Sequence, residues 1–233
     1  MEAEALPMVQ SLKLTRDEPC AIPPPAPCVS YSGADWGAAV HLVCFGKCAA
    51  TGMDNVGTVP AGLATYLAIQ ALSPDVVISA GTAGGFAARG AAIADVFLST
   101  STRNHDRRIP IPGFDAYGVG RREALPTPRL RAALGLKSGV VSSGNSLDYT
   151  AEDMAAMTAA GVAVKEMEAA AVAWAASLHG VPFFCVKAVT DIVDGERPAH
   201  EEFLENLGHA AGALQAVVPR VLAFVAGKAY SEL

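Results

Sequence analysis

Apolar residues along this chain come in two spacings, and the two alternate. VVISA (76–80), DVFLST (95–100), SGVVSS (138–143) and VPFFCVKAVTD (181–191) are short, nearly continuous runs. Runs of that length and composition read as strands buried on both faces. Between them lie stretches with helical spacing: Glu2 to Lys13, then residues 55–72, 151–160, 167–179 and about 200–226. CVSYSG (28–33) and AVHLVCF (39–45) read as a further strand pair around a turn at Gly33-Ala34-Asp35. The proline-rich EPCAIPPPAPC (18–28) reads as a surface loop. Residues 101–125 read as a long irregular segment, functional or at an interface. The alternation predicts an α/β fold: one domain over residues 1–233, with a mixed, largely parallel central sheet covered by helices on both sides.

In such sheets ligands gather at the carboxyl ends of the strands. That singles out GTAGGF (81–86), SSGNSLD (142–148), KEME (165–168) and VTDIVDG (189–195). GTAGG is neither a dinucleotide fingerprint nor a Walker loop. By itself it reads as a tight turn, or as glycines that let the backbone approach a ligand, and SSGNS carries the same two readings. Asp191 ends an apolar strand after Thr190. It is a cap for the turn that follows, a charge facing solvent with Asp194, or a carboxyl in a cleft where burial raises its pKa, as a general acid requires. VKEMEAAAVAWAA (164–176) is an alanine-rich helix with almost no polar face, and it begins with a Met-Glu pair. Glu168 there either favours the helix dipole or offers two oxygens to a vicinal diol. Lys165 and Glu166 read as solvent-facing, Glu4 by itself as a helix-face glutamate, and His105 with Asp106 as a structural pair. The serine signature G-x-S-x-G is absent, and His41, His179 and His209 are assigned no role.

Composition narrows the classes. Of 233 residues, 52% are hydrophobic and only 6% aromatic, which describes a well-buried globular domain with small side chains at its contacts. A net charge of −6, without a basic cluster beyond pairs such as Arg107-Arg108, argues against nucleic acid as a partner. No run reads as long and charge-free enough to span a bilayer, and MEAEALPMVQ has no basic leader, so no membrane partner is expected. Five cysteines without a C-x-x-C pair argue for reduced thiols and a cytoplasmic setting. Cys44 and Cys48 have no histidine-rich partner segment, so neither a metal nor a cofactor is expected.

Together, MEAEALP (1–7), DNVGTVPAGL (54–63), ISAGTAGGF (78–86), HDRRIPIPGFDAYGVG (105–120), SSGNSLD, KEMEAAAVA (165–173) and VTDIVDG stand in a familiar order and spacing. Over essentially its whole length the chain resembles the 5′-methylthioadenosine nucleosidases of the nucleoside phosphorylase superfamily. HDRRIPIP, D-x-Y-G-V-G and VTDIVDG resemble the plant type rather than the bacterial one. The resemblance implies hydrolysis of 5′-methylthioadenosine to adenine and 5-methylthioribose, as in methionine salvage. Glu4 would activate the water, Asp191 would protonate N7 of adenine, and Glu168 would hold the ribose hydroxyls with Met167 against the sugar. Thr82, Ala83 and Gly84 would line the cleft beside ribose and water. Leu147 would pack on adenine, the backbone at Asp148 would read its edge, and Lys165, Glu166 and Thr190 would complete the binding set. A homodimer is implied, with part of the 101–120 segment, Phe114 or Tyr117, covering the methylthio group in the neighbouring subunit.

Two other readings stand beside it. A phosphorylase would need arginines for its phosphate, and VVISAGT (76–82) has Ser79 and no arginine. A non-catalytic nucleoside-binding or storage protein of the same superfamily need not keep Glu4, Glu168 and Asp191 together. The resemblance also marks departures. An apolar strand of the central sheet precedes the M-x-x-E segment in the family. The expectation is therefore an incomplete gene model or alternative start, with the first strand missing, an unpaired sheet neighbour and Glu4 on a loose terminus. Asn145 replaces a usual aspartate, Asn104 an aromatic, and His200 falls near an aromatic that bacterial members place against adenine. Cleavage of S-adenosylhomocysteine depends on room beyond the 5′ sulfur, which packing decides.

Overall fold

The apolar runs form the expected strands, and most of them join one sheet. The computed structural model describes residues 1–34 and 36–233, so Asp35 of the expected turn lies outside the described residues. In chain order the elements are α1 (Glu2–Ser11), β1 (Thr15–Arg16), β2 (Val29–Gly33), β3 (Val40–Cys44), α2 (Thr58–Leu72), β4 (Val77–Gly85), β5 (Val96–Asn104) and α3 (Asp115–Val119). There follow β6 (Arg122–Glu123), α4 (Pro128–Leu134), β7 (Lys137–Ser143), α5 (Ala151–Ala159), β8 (Val162–Glu166), α6 (Ala169–His179), β9 (Phe183–Ile192) and α7 (Ala199–Val225).

The main sheet has the order β6-β5-β7-β8-β4-β9, and β5 also pairs with β9, so the sheet closes on itself. β5–β7, β7–β8 and β4–β9 are parallel, whereas β8–β4, β5–β9 and β5–β6 are antiparallel. The sheet is therefore mixed, as the alternation predicts. β9 is buried along almost its whole length, which is why its sequence is a continuous apolar run rather than an alternating one. Its Phe184 and Val186 meet Phe97 and Leu98 of β5 and Leu214 of α7 in the core.

Four features depart from the sequence reading. β4 continues through GTAGG to Gly85, so this segment is strand and not a turn; it stays straight because β9 pairs along its length. A Cβ at Gly85 would sit 2.6 Å from the Ala91 Cβ, so the glycines serve close approach. β5 runs on through Asn104, and the irregular segment after it contains α3 and β6. α4 and β8 are not anticipated; β8 carries the first residues of the run read as an alanine helix, and that helix begins only at Ala169. Finally, α7 is long and apolar enough, by length and composition alone, to cross a membrane, contrary to the sequence reading. Here its apolar face, including Ala210, Leu214, Val218 and Val221, packs into the protein core.

β1, β2 and β3 form a separate antiparallel sheet. Val77–Ala83 of β4 pair with β9 on one edge and have no strand on the other among the described residues. Between that edge and β3 lies a cavity of about 1290 Å³, lined by Val40, Leu42, Ile78, Ala80, Leu222 and Tyr230 among others.

Phe184 is fully buried at the centre of this packing, so Phe184→Ala should cost about 3–5 kcal/mol in urea unfolding. Leu204→Ala, at an exposed position of α7, should change stability by less than about 0.5 kcal/mol.

Candidate active site

The carboxyl end of β4 is where the candidate residues converge. The Thr82 N–H lies on the edge of β4 that no strand covers among the described residues. It donates to Glu4 Oε1 at 2.7 Å, and the Thr82 hydroxyl donates to the same oxygen at 2.6 Å. Glu4 reaches it because Ala5, Met8 and Val9 turn α1 inward, and its side chain is buried. It therefore sits in a packed helix and not on a loose terminus. Burial pushes the Glu4 carboxyl up, and the two Thr82 bonds pull it down.

Two residues further along β4, Gly84 aligns with Asp191 of β9 on one side and with Lys165 of β8 on the other. A Cβ at Gly84 would stand 2.6 Å from Asp191 Oδ2, so the carboxyl lies where a side chain would otherwise be. The register between β4 and β9 slips here: Ala83 faces Val189 and Gly84 faces Asp191, leaving Thr190 as the extra residue of a bulge. The Thr190 hydroxyl is 2.7 Å from Asp191 Oδ1 and 3.2 Å from the Ala83 carbonyl. Asp191 is 5% exposed, which overturns the reading of a solvent-facing charge. Burial holds its carboxyl above the usual range; Thr190 and Lys165 oppose the shift and Glu202 adds to it. Glu4 and Asp191 are thus anchored two positions apart on one strand, about 7 Å by strand rise, one bound by two donors from Thr82 and the other lifted by burial. Asp194 instead accepts from the N–H groups of Ala87 and Ala88 at 2.6 and 2.9 Å.

Glu168 is the N-cap residue of α6, and its Oε1 accepts the Gly57 N–H at 2.7 Å. The helix start is satisfied by another residue. Glu166 accepts the N–H groups of Glu168 and Ala169 at 3.0 and 2.8 Å, and Ser143 accepts that of Ala170 at 2.8 Å while donating to Glu166. Lys187 Nζ lies 3.0 Å from Glu166 Oε2, with both side chains almost fully buried. Lys165 and Glu166 are therefore not solvent-facing: β8 is covered on both faces, and they are 6% and 5% exposed. With Glu166 taken up by Lys187 and the helix start, the Glu168 carboxylate is free to face the site. Burial and Glu166 push Glu168 up, while Lys187 and the Gly57 N–H pull it down. Lys187 escapes the sequence reading; the available signal is a single lysine inside an otherwise apolar run.

Lys165 Nζ donates to the carbonyls of Ser146 and Leu147 at 2.9 and 2.8 Å. Leu147 and Asp148 of that turn are exposed, and Met167 is half-buried. His105 and Asp106 do not form a pair. His105 meets the Ser142 hydroxyl at 3.1 Å, and Asp106 accepts the Asn145 N–H at 2.7 Å. Asn145 in turn accepts from the Thr58 N–H and hydroxyl at 3.0 and 2.8 Å. Buried Asn104 donates to the Val119 carbonyl at 3.3 Å, Phe114 and Tyr117 are exposed, and so is His200. The large cavity reaches Glu4 but neither Glu168 nor Asp191. The arrangement places two carboxyl groups at opposite ends of a short strand segment, with the Glu168 carboxyl near the Glu4 end.

A sequence model of the Phosphorylase superfamily matches residues 1–223. The chain is 47% identical over 233 residues to a 5′-methylthioadenosine nucleosidase of Arabidopsis thaliana, covering all of this chain and 87% of that protein. It is 44% identical to a 5′-methylthioadenosine/S-adenosylhomocysteine nucleosidase of the same plant, covering all of this chain and 92% of the other. The solved structure of an Arabidopsis thaliana 5′-methylthioadenosine nucleosidase in apo form superposes with a TM-score of 0.97 at 47% identity, covering 100% of this chain and 96% of that one.

Removing one partner of the buried Glu166–Lys187 pair leaves the other charge unpaired. Lys187→Met should therefore cost about 3–5 kcal/mol in thermal or urea unfolding. The double variant Lys187→Met/Glu166→Gln should recover part of that loss, since neither charge is then stranded.

Proposed function

The chain belongs to the phosphorylase superfamily, and on that premise we propose that it is a 5′-methylthioadenosine nucleosidase, releasing adenine and 5-methylthioribose with water as the acceptor. The observation that carries this reading is the pair of carboxyl groups anchored at β4, Glu4 by two hydrogen bonds from Thr82 that favour its ionised form and Asp191 opposite Gly84, where burial holds it above the usual range. An N-glycosidic bond breaks through a cation-like ribosyl state, and adenine leaves well only once N7 is protonated. Asp191 supplies that proton at the base end. Glu4, two positions along the strand, takes a proton from the attacking water on the far side of the sugar. Glu168, beside them, accepts the 2′ and 3′ hydroxyls, with Met167 against the sugar. Two carboxyls in unlike surroundings divide acid and base work in this way.

Water rather than phosphate follows from the charges. The groups around the sugar position are Glu4, Glu166, Glu168 and one lysine committed to Glu166. The arginines that form ion pairs do so elsewhere: Arg108 with Glu152 and Asp153, Arg121 with Glu123, and Arg197 with Glu202 and Glu205. A dianion at this site would meet carboxylates without a bidentate cation to hold it. A storage role is not favoured, since the hydrogen bonds around Glu4, Glu168 and Asp191 are those of a built site.

The working unit in this proposal is a homodimer. Val59, Leu63 and Tyr66 of α2 and Trp174 and Leu178 of α6 are exposed apolar residues on two helices that pack against each other. Ile111, Phe114 and Tyr117 extend the set of exposed apolar residues into the 101–120 segment, which would cover the methylthio group of the neighbouring site. Five free thiols accord with a cytoplasmic setting, and the product with methionine salvage.

Adenine release from 5′-methylthioadenosine in phosphate-free buffer tests the reaction, and added phosphate should not accelerate it. Asp191→Asn and Glu4→Gln should each lower kcat about 10²–10⁴-fold. Because the acid works protonated, activity should decline as pH rises through an Asp191 value above the ordinary carboxylate range. A wild-type rate that requires phosphate would sink the hydrolase reading. The same assay with S-adenosylhomocysteine decides the second substrate. For the dimer, Leu63→Glu with Trp174→Glu should shift the sedimenting species to the monomer mass and depress activity with it; a wild-type monomer that is fully active would overturn the shared-site proposal.

A further inference from the structure

Lys165 is the group in this site that the reaction chemistry leaves without a task. It stands on β8 directly across from Gly84 of β4, which in turn stands across from Asp191 of β9. Residues aligned across neighbouring strands point their side chains to the same face. Adjacent strands lie about 4.8 Å apart, so Lys165 and Asp191 emerge about 10 Å apart on one face, and the residue between them has no side chain. The Asp191 carboxyl already lies over that glycine, at 2.6 Å from where its Cβ would be, which brings it toward β8. From the other side the lysine spends two of its three hydrogens on the carbonyls of Ser146 and Leu147, the turn between β7 and α5. Side chains hold that turn: Asp106 and Thr58 bind Asn145 before it, Tyr149 after it donates to the Val193 carbonyl, and the buried lysine takes the 146 and 147 carbonyls between them.

We propose that Lys165 is the positioning residue of the leaving-base site: its ammonium ties the 146–147 turn to the sheet and lays a positive charge across Gly84 from the Asp191 carboxyl. This rests on the nucleosidase reading above, in which that turn meets adenine and Asp191 delivers the proton. A general acid ends its step as an anion, and a cation on the same face stabilises that anion. One side chain thus couples where the base sits to how readily it is protonated.

The other charged groups near Asp191 are committed elsewhere. Asp194 of its own segment is bound by the Ala87 and Ala88 N–H groups. Glu202 of α7 accepts the Ile192 N–H at 2.8 Å and faces Arg197 at 3.8 Å. Asp153 of α5 is paired with Arg108, Glu166 of β8 with Lys187, and Asp148 of the turn is exposed. His105, beyond β7, is bound to Ser142. β4 contributes no charge. The opposing pull of Lys165 on the raised Asp191 carboxyl is what this geometry requires.

The test compares wild type with Lys165→Met and Lys165→Arg; Lys165→Gln serves as the neutral variant if the methionine protein does not fold. Titration of the Asp191 carboxyl by carbon NMR, its signal identified by loss in Asp191→Asn, reads the coupling without any turnover. Removing a nearby cation disfavours the anion, so the midpoint should rise by about half a pH unit or more in the neutral variant and return in Lys165→Arg. In adenine release, the alkaline limb of kcat/KM should move up with it, and KM should rise about tenfold as the turn loses two charge-assisted bonds. A midpoint that stays put in the neutral variant overturns the proposal, even if KM rises, because a merely structural lysine would do the same. If wild type releases no adenine, the nucleosidase reading fails, while the carboxyl titration still decides whether Lys165 acts on Asp191.

Discussion

The site depends on one stretch of backbone with few and small side chains. β4 ends in Gly81-Thr82-Ala83-Gly84-Gly85, and neighbours occupy the space that larger residues would fill. A Cβ at Gly84 would come within 2.6 Å of Asp191 and 2.7 Å of Val193. One at Gly81 would have the Glu4 carboxylate at 3.4 Å and the Lys187 ammonium at 3.7 Å. The strand is thus a narrow rail that gathers two carboxyl groups and two lysines from three other elements, α1, β8 and β9, around its backbone. Bulkier residues there would push apart the groups whose proximity makes the chemistry possible.

Around that rail, charge is sorted by partner. Three glutamates lie near one another, yet Glu166 is the one taken up by the scaffold. Glu166 is spent on the start of α6, Ser143 and Lys187. That arrangement also places Glu168: the α6 N–H groups are already satisfied, so its carboxylate can turn to Gly57 and the cleft. Burying a carboxylate and an ammonium together is costly unless the remaining donors and acceptors are met. Here the helix start meets them, so the pair works as a scaffold for the neighbouring residue rather than as a source of net stability.

The bulge at Thr190 serves the other end. It turns a regular β9 residue into an inward hydroxyl that fixes one Asp191 oxygen and the Ala83 carbonyl at once. The same register slip sets Asp191 opposite Gly84, where the absent side chain leaves it room. One extra residue in a strand thus sets both the inward hydroxyl and the place of the carboxyl opposite Gly84.

Much of this was legible in the residues. Buried strands appear as continuous apolar runs because both faces of the sheet are covered. Long helices appear by period, and Glu4, Glu168 and Asp191 stand in motifs with recognisable order. What the residues alone could not decide are the features made by pairing between distant segments. GTAGG looks like a turn until β9 lies along it. Lys165 and Glu166 look solvent-facing because charged side chains usually are, and only coverage of both faces of β8 buries them. Lys187 is one lysine in an apolar run until Glu166, twenty-one positions earlier, meets it at 3.0 Å. The sequence by itself determined which elements form and which groups can do chemistry, since spacing and side-chain type are local properties. Only the tertiary structure decided which of those groups face one another, because burial, register and pKa depend on neighbours far away in the chain.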